Sequence, residues 1–305
     1  MKVYVDKKMM GRLNYPKLID EFKFVDFVES VDDYEIEVMV IMNSTIKNIN
    51  VENYKNLKWV QLLMAGYDNV DIDKFKKNNI LVSNARDIFS ISIAEDVFSK
   101  ILYFNRNTKY YLEGMVEKSW QPIPKEPEIF NSNVLILGSG SIGQEVAKRM
   151  KAFGAKKIVG YKRTLEKVEY FDEIINQDKE LDSALEKADY VIIALPLTKE
   201  TYHMMDEHKL SLMKSSSVLI NVARGDIIDQ DALIKVLKQK QIRGAGLDVT
   251  SPEPLPKDNE LWQLENVFIT PHNASSSPYM KERLYQLTRE NLKIYLSGKL
   301  PKYFL

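Results

Sequence analysis

Val134-Leu135-Ile136-Leu137-Gly138-Ser139-Gly140-Ser141-Ile142-Gly143 is the stretch on which the fold turns. A short apolar run, the pattern of a buried parallel strand, breaks at one glycine and meets two more at fixed spacing. Val146, Ala147, Met150 and Phe153 then recur at helical spacing, and Ile158–Tyr161 reads as a further strand. In such a strand–turn–helix the first glycine permits the tight turn. The second lets backbone approach a pyrophosphate, and the third lets helix and strand pack closely. The helix N-terminus, opening at Ser141 and Ile142, offers amide donors to phosphates. The pattern implies dinucleotide binding through Gly138, Gly140, Ser141, Ile142 and Gly143, with S-adenosylmethionine-type binding as the alternative.

Outward from that loop the chain alternates. Val3–Val5, Val38–Met42 and Trp59–Met64 read as strands, separated by helix-like Tyr15–Glu21 and Ile49–Leu57. After Val134 come the strand candidates Ile158–Tyr161, Tyr190–Leu195, Val218–Val222, Gly244–Val249 and Val267–Thr270. Such alternation implies crossover units and parallel sheets. Ile93–Tyr103 carries Val97, Phe98, Ile101, Leu102 and Phe104 at helical spacing, with Glu95 and Asp96 read as first-turn acids, and is expected to bridge two domains. Gly114–Ser132, with Trp120, Pro122, Pro124 and Pro127, is expected to be an irregular arm. A last helix, Pro278–Leu296, is expected to return and complete the amino-terminal domain. The expected division is 1–95 with 276–305, and 96–275.

The chain has 305 residues, enough for two cores, and Lys+Arg and Asp+Glu balance at 43 each, leaving no overall basic field for nucleic acid or an anionic membrane. With no cysteine, disulfides, thiolate catalysis and zinc–thiolate sites are excluded, and no metal site is read. The opening Met1–Val5 looks like a strand and not a secretory signal, and apolar runs fall short of a bilayer span, so a soluble cytoplasmic protein is expected.

About 20 residues after the glycines an NAD site normally shows an acid for the ribose hydroxyls. Here stand Lys162, Arg163 and Thr164. Two cations and a hydroxyl suit a 2′-phosphate, so NADP(H) is expected to be preferred, with NAD(H) possible. The plainer reading of Lys162 and Arg163 is a pair of solvated loop charges. Only three histidines exist, and Phe268-Ile269-Thr270-Pro271-His272 presents one of them where a strand ends at a proline. A proton donor at neutral pH is most often a histidine. His203 and His208, in the polar 201–209 segment, read as surface residues.

These segments, together with Leu62–Asp71, Leu195-Pro196-Leu197-Thr198, Asn221–Gly225 and Gly246–Val249 followed by Glu253, resemble in order the signature blocks of the D-isomer-specific 2-hydroxyacid dehydrogenase family over nearly the whole chain. The resemblance, of the glyoxylate/hydroxypyruvate reductase or the phosphoglycerate dehydrogenase kind, implies an α/β chain of two Rossmann-like parallel-sheet domains. One is a flavodoxin-like, discontinuous substrate domain and the other binds NAD(P). It also implies reversible reduction of a small 2-oxo acid to a 2-hydroxy acid in a cleft between them. Carried over, Arg224 binds the substrate carboxylate and polarises the carbonyl, His272 protonates the carbonyl oxygen, and Glu253 orients the imidazole. Backbone amides at Ala65 and Gly66 hold the carboxylate. Asp248 resembles a position near the nicotinamide, with capping of the following loop as its alternative. Pro196, Thr201, Val222 and Ala223 resemble cofactor-lining positions. The side-chain pocket is expected from Met42–Thr45, Met64 and Trp120. A homodimer is expected on the resemblance and on the apolar-edged Trp120 arm. Two other classes stay open: a nicotinamide-sensing binding protein, against which Arg224, Glu253 and His272 together argue, and a formate-type dehydrogenase, which Glu253 discourages.

Overall fold

The structure, a computed structural model, describes residues 1–305, the Arg12 side chain excepted. It divides into two compact units, 1–89 with 276–305, and 90–275. The strands are β1 Lys2–Val5, β2 Asp26–Val28, β3 Val38–Ile41, β4 Trp59–Leu62, β5 Leu81–Ser83, β6 Asn133–Leu137, β7 Lys157–Tyr161, β8 Glu173–Ile175, β9 Tyr190–Ile193, β10 Val218–Asn221, β11 Gly244–Leu247 and β12 Val267–Ile269.

In the first unit five parallel strands run in the order β2-β1-β3-β4-β5. The central strands β3 and β4 are buried along their whole length, which explains why they read as unbroken apolar runs and not as alternating ones. The helix Met280–Leu296 packs on this unit through Leu284, Tyr285, Leu287 and Leu292. Glu21, on the helix Tyr15–Glu21, accepts from Arg289 at 2.6 Å and from Tyr285 at 2.6 Å. Asn291 reaches the buried Gln61 at 2.7 Å. The final residues close the edge of β5, where Leu305 donates to the Val82 carbonyl at 2.8 Å.

The second unit holds seven parallel strands in the order β12-β11-β10-β9-β6-β7-β8. The chain moves outward from β6 to β8 on one side, crosses back, and moves outward from β9 to β12 on the other. The switch point therefore lies between β6 and β9. In open parallel sheets that is where ligands enter, beyond the carboxyl ends of the strands. Helix Ser90–Asn105 covers one face through Ile93, Val97, Phe98, Ile101 and Phe104, each buried. Burying such side chains contributes about 1.5–3 kcal/mol apiece.

Several sequence expectations need correction. Residues 90–95, read as the end of the first domain, form the first turns of this helix and fall in the second unit. Glu95 and Asp96 consequently stand in its second turn, beyond reach of the helix terminus, and Leu102 faces outward. Ile49–Leu57 holds only the single turn Val51–Asn53, whose start is capped by the Asn50 side chain accepting from the Glu52 amide. The arm is helical from Thr108 to Glu117, and its irregular part starts at Lys118. Strands β2, β5 and β8 are additional.

Candidate active site

Every strand of the second unit is parallel to its neighbours, so the segments that follow the strands gather along one edge of the sheet. The glycine loop follows β6, Lys162–Thr164 follow β7, Pro196 and Thr201 follow β9, and Arg224 follows β10. Asp248 and Glu253 follow β11, and His272 follows β12. Residues more than a hundred positions apart in sequence thus share one rim.

On that rim His272 Nδ1 lies 2.8 Å from Glu253 Oε2. The other carboxylate oxygen, Oε1, accepts from the Thr250 amide at 3.2 Å, so Glu253 is itself held against the backbone. A carboxylate can only accept at neutral pH, which places the proton on Nδ1 and makes Nε2 the nitrogen that exchanges a proton with anything else. His272 has a φ of +51°, in the left-handed region, which non-glycine residues enter infrequently although histidine does so more often than most. Its amide donates to the Asp248 carbonyl at 2.8 Å. The Asp248 carboxylate then accepts from the Asn273 amide at 2.9 Å and the Ala274 amide at 3.0 Å. Asp248 is thereby a buried cap on the loop that carries the imidazole, a loop distant in sequence and not the one that directly follows it.

Arg224 leaves β10 in extended backbone, and its Nη1 donates to the Ala223 carbonyl at 2.6 Å. The wholly buried Asn221 shapes this turn: its Oδ1 accepts from the Ala223 amide at 3.0 Å and its Nδ2 donates to the Arg224 carbonyl at 2.9 Å. Sequence reasoning passed over Asn221 as a positioning residue; a buried amide ending an apolar strand was the available signal. Gly225 explains how the neighbouring loop is reached. A Cβ there would stand 2.1 Å from the carbonyl carbon of Thr250, so only glycine lets the Arg224 turn lie against the segment leading to Glu253. Ser251 adds a hydroxyl bond to Asp226 and a 3.1 Å amide bond to Gln230.

The glycines of the β6 loop have different explanations. Gly138, at φ +105°, would push a Cβ within 2.6 Å of the Ala194 carbonyl oxygen, and Gly143 would meet the Gly138 carbonyl oxygen at 2.0 Å. Gly138 is demanded by packing across the switch point, and Gly143 by the close packing of helix Ser141–Ala152 on its own loop and on β6. Gly140 is not: no protein atom lies within 4 Å of its would-be Cβ. It caps the helix Ser141–Ala152 without a side-chain bond, so the first-turn amides have no cap from it. An open cradle at a helix N-terminus fits a pyrophosphate, and the residues present therefore fit a dinucleotide.

Gly138 also donates to the Tyr161 carbonyl at 3.0 Å, which brings the end of β7 beside the glycine loop. Beyond it Lys162 pairs with Glu166, and Arg163 and Thr164 are exposed. A hydrogen bond from Thr198, aided by the charge of Arg163, holds the Glu200 carboxyl below its ordinary range. Thr201 is buried, donates to the Pro196 carbonyl at 2.7 Å and accepts from the Thr198 amide at 2.8 Å; it fixes the turn after β9. Val222 and Ala223 are buried in the turn before Arg224. His208 is exposed beside Asp182, while His203 is half-buried and stacked on Tyr202.

In the first unit, Ala65 and Gly66 lie past β4 in a turn whose carbonyl groups are held by the loops that follow both neighbouring strands, β3 and β5. Ala85 donates its amide to the Met64 carbonyl at 3.0 Å, Asn84 Nδ2 donates to the Ala65 carbonyl at 2.7 Å, and Asn43 Nδ2 donates to the Gly66 carbonyl at 2.6 Å. In a trans peptide the N–H opposes the C=O, so each of the amides of Ala65, Gly66 and Tyr67 points away from the group that holds the preceding carbonyl. Asn43 and Asn84 were not singled out from sequence; their partners are backbone atoms that no residue spacing encodes.

The profile of the D-isomer specific 2-hydroxyacid dehydrogenase NAD binding domain matches residues 98–274. A glyoxylate reductase of Pyrococcus horikoshii is 37% identical over 276 residues, spanning 88% of this chain and 82% of that protein. Among solved structures, a D-isomer specific 2-hydroxyacid dehydrogenase family protein from Aeromonas salmonicida superposes with a TM-score of 0.87 at 26% identity, over 100% of this chain and 98% of that one. An acyclic imino acid reductase in complex with NADPH and D-Arg gives 0.82 at 27% identity, over 100% of both chains. Among the described residues no helix is long and apolar enough to cross a membrane.

Proposed function

The chain belongs to the D-isomer specific 2-hydroxyacid dehydrogenase family and is an NAD(P)-dependent oxidoreductase, and on that premise we propose that it reduces a small 2-oxo acid with NADPH as preferred cofactor and His272 as proton donor. The observation that carries this reading is the 2.8 Å contact of His272 Nδ1 with Glu253, on the same sheet rim as the glycine loop.

When bound, the nicotinamide cofactor supplies a hydride to the carbonyl carbon. The chain's own residues do the rest. Gly138, Gly140, Ser141, Ile142 and Gly143 seat the pyrophosphate on backbone amides. Pro196, Thr201, Val222, Ala223 and Asp248 shape the nicotinamide half, Thr201 and Asp248 by holding loops in place. Arg224 binds the substrate carboxylate with a permanently charged planar fork and polarises the carbonyl. The amides at Ala65 and Gly66 bind the carboxylate as well. His272 delivers the Nε2 proton to the carbonyl oxygen and is left as the Nδ1–H tautomer, which the Glu253 carboxylate favours. Atoms balance: one hydride and one proton convert the C=O to CH–OH.

Lys162, Arg163 and Thr164 favour the 2′-phosphate of NADPH. Glu166 beside Lys162 offsets one of the two charges, leaving Arg163 as the more available partner. Val116, in the last turn of helix Thr108–Glu117, is 84% exposed and Trp120, just beyond that helix, is 93% exposed, which supports association with a second copy through this region. Light scattering at micromolar concentration tests that, a monomer counting against it. The activity itself is tested by a panel of glyoxylate, hydroxypyruvate, pyruvate and branched 2-oxo acids, each with NADPH and NADH. Turnover of at least one acid, faster with NADPH, is expected; absence of turnover with every acid would contradict the reading.

A further inference from the structure

Lys100 is the most unusual side chain in the second unit. It sits on the buried stripe of helix Ser90–Asn105, one turn past Val97 and beside Ile101, and its side chain is 0% exposed. A lysine is almost never fully buried unless it is paired. Its stem passes directly over Gly246 on β11, where a Cβ would come within 2.8 Å of the Lys100 Cβ. The glycine of the Gly246–Val249 block thus makes room for this lysine.

The ammonium has three protons and no acceptor. It donates to Asp96 Oδ2 at 2.5 Å and to Thr270 Oγ1 at 2.8 Å, and it lies 5.6 Å from the centre of the Phe268 ring. Since Thr270 Oγ1 accepts from Lys100, its single proton is left for Asp248 Oδ1, 2.6 Å away. The direction of the chain is therefore forced: Lys100 to Thr270, Thr270 to Asp248. Asp248 in turn receives the amides of Asn273 and Ala274 on its carboxylate and that of His272 on its carbonyl. Burial pushes the Asp96 carboxyl above its ordinary range, the charge on Asp248 adds to this, and Lys100 opposes both.

We propose that Lys100, anchored by Asp96, is a positioning residue for the catalytic loop: by orienting the Thr270 hydroxyl and through it the Asp248 carboxylate, it holds His272 in its left-handed conformation. The left-handed conformation is sparsely populated for a residue with a side chain, and these contacts favour it at this position. The proposal rests on His272 acting as proton donor, but its readout does not require turnover.

The test uses four variants of the full chain: Thr270→Val, Thr270→Ser, Lys100→Met, and the double variant D96L/K100M. Lys100→Met leaves two buried carboxylates without their cation and is the one at risk of misfolding. The double variant removes the buried charge pair with apolar replacements, and Thr270→Val cuts the relay while keeping the pair. Three readouts are taken: melting temperature, kcat against KM for acid and cofactor, and the imidazole NMR signals. With His203, His208 and His272 as the only histidines, those signals are separable by single His→Gln substitutions.

The expected result for Thr270→Val and for D96L/K100M is a folded protein in which kcat falls at least tenfold, both KM values stay within about twofold, and the His272 ring signals alone shift or broaden. Thr270→Ser restores both. Folded variants with parental kcat and parental His272 signals would overturn the proposal. If His272→Ala itself keeps parental turnover, the proton-donor reading fails on its own, whereas the ring signals still decide whether Lys100 positions the loop.

Discussion

Glu253 and His272, on different strands' loops, meet at 2.8 Å while the second oxygen of Glu253 is held by the Thr250 amide. That arrangement fixes both the tautomer and the azimuth of the ring. Replacing Glu253 by Gln keeps the shape and exchanges a charged acceptor for a neutral amide that can donate or accept, so Nδ1–H is no longer specified. Charge-assisted hydrogen bonds contribute about 1.5–3 kcal/mol, roughly one to two decades in rate. Turnover of Glu253→Gln is expected to fall by about 10- to 100-fold with cofactor affinity retained; steady-state kinetics with cofactor titration reads both.

Gly225 gives a prediction of a different kind. Its missing Cβ would sit 2.1 Å from the Thr250 backbone, so Gly225→Ala forces apart the turn of Arg224 and the segment leading to Glu253. Overpacking of this sort costs about 1–3 kcal/mol, which lowers Tm by several degrees in a chain this size. Activity is expected to fall further than Tm alone explains, because the displaced turn carries Arg224. A thermal melt run alongside kinetics separates the two losses; Gly140→Ala, with open space at its Cβ, serves as the comparison and is expected to cost little stability.

Much of this organisation was legible in the sequence because parallel strands buried on both faces leave unbroken apolar runs. Val134–Leu137, Tyr190–Ile193 and Val218–Ile220 are of that type. The strands that escaped, β2, β5 and β8, are all sheet edges of three residues. An edge strand pairs on one side only and needs no long apolar signature, and Asp26 and Glu173 at the heads of β2 and β8 mask even that. The catalytic candidates were readable because their residue types carry chemistry. What supports them was not: Asn43, Asn84 and Asn221 act on backbone carbonyls and amides that fold brings near. Lys100 did leave a trace, a cation on an apolar helical stripe with an acid four residues earlier.

Cofactor choice follows from the charges after β7. Lys162→Asp removes one cation, leaves Glu166 without its partner, and puts a carboxylate where ribose hydroxyls can be bound. The ratio of kcat/KM for NADPH over NADH is expected to drop by at least tenfold. Equal use of both cofactors by the parent protein would remove the basis for the preference.

Acid sensitivity is expected in the first unit. Glu21 accepts from Lys293, Tyr285 and Arg289, which hold its carboxyl down from 4.5 to about 2. A carboxyl depressed in the folded state contributes stability that is present above its ordinary value and is lost as pH falls through the folded one. The Tm of the parent should therefore decline between about pH 4.5 and 2. Glu21→Gln should melt lower at neutral pH and show a shallower decline across that window. Parallel curves for the two proteins would show that Glu21 does not carry the effect.

The most direct measurement is single-turnover reduction of whichever 2-oxo acid the protein turns over best, comparing the parent with His272→Ala at saturating NADPH. General acid catalysis supplies about 10²- to 10⁴-fold. The rate of NADPH oxidation in His272→Ala should fall by that factor with the NADPH dissociation constant unchanged; a rate within twofold of the parent would contradict the assignment of His272 as proton donor.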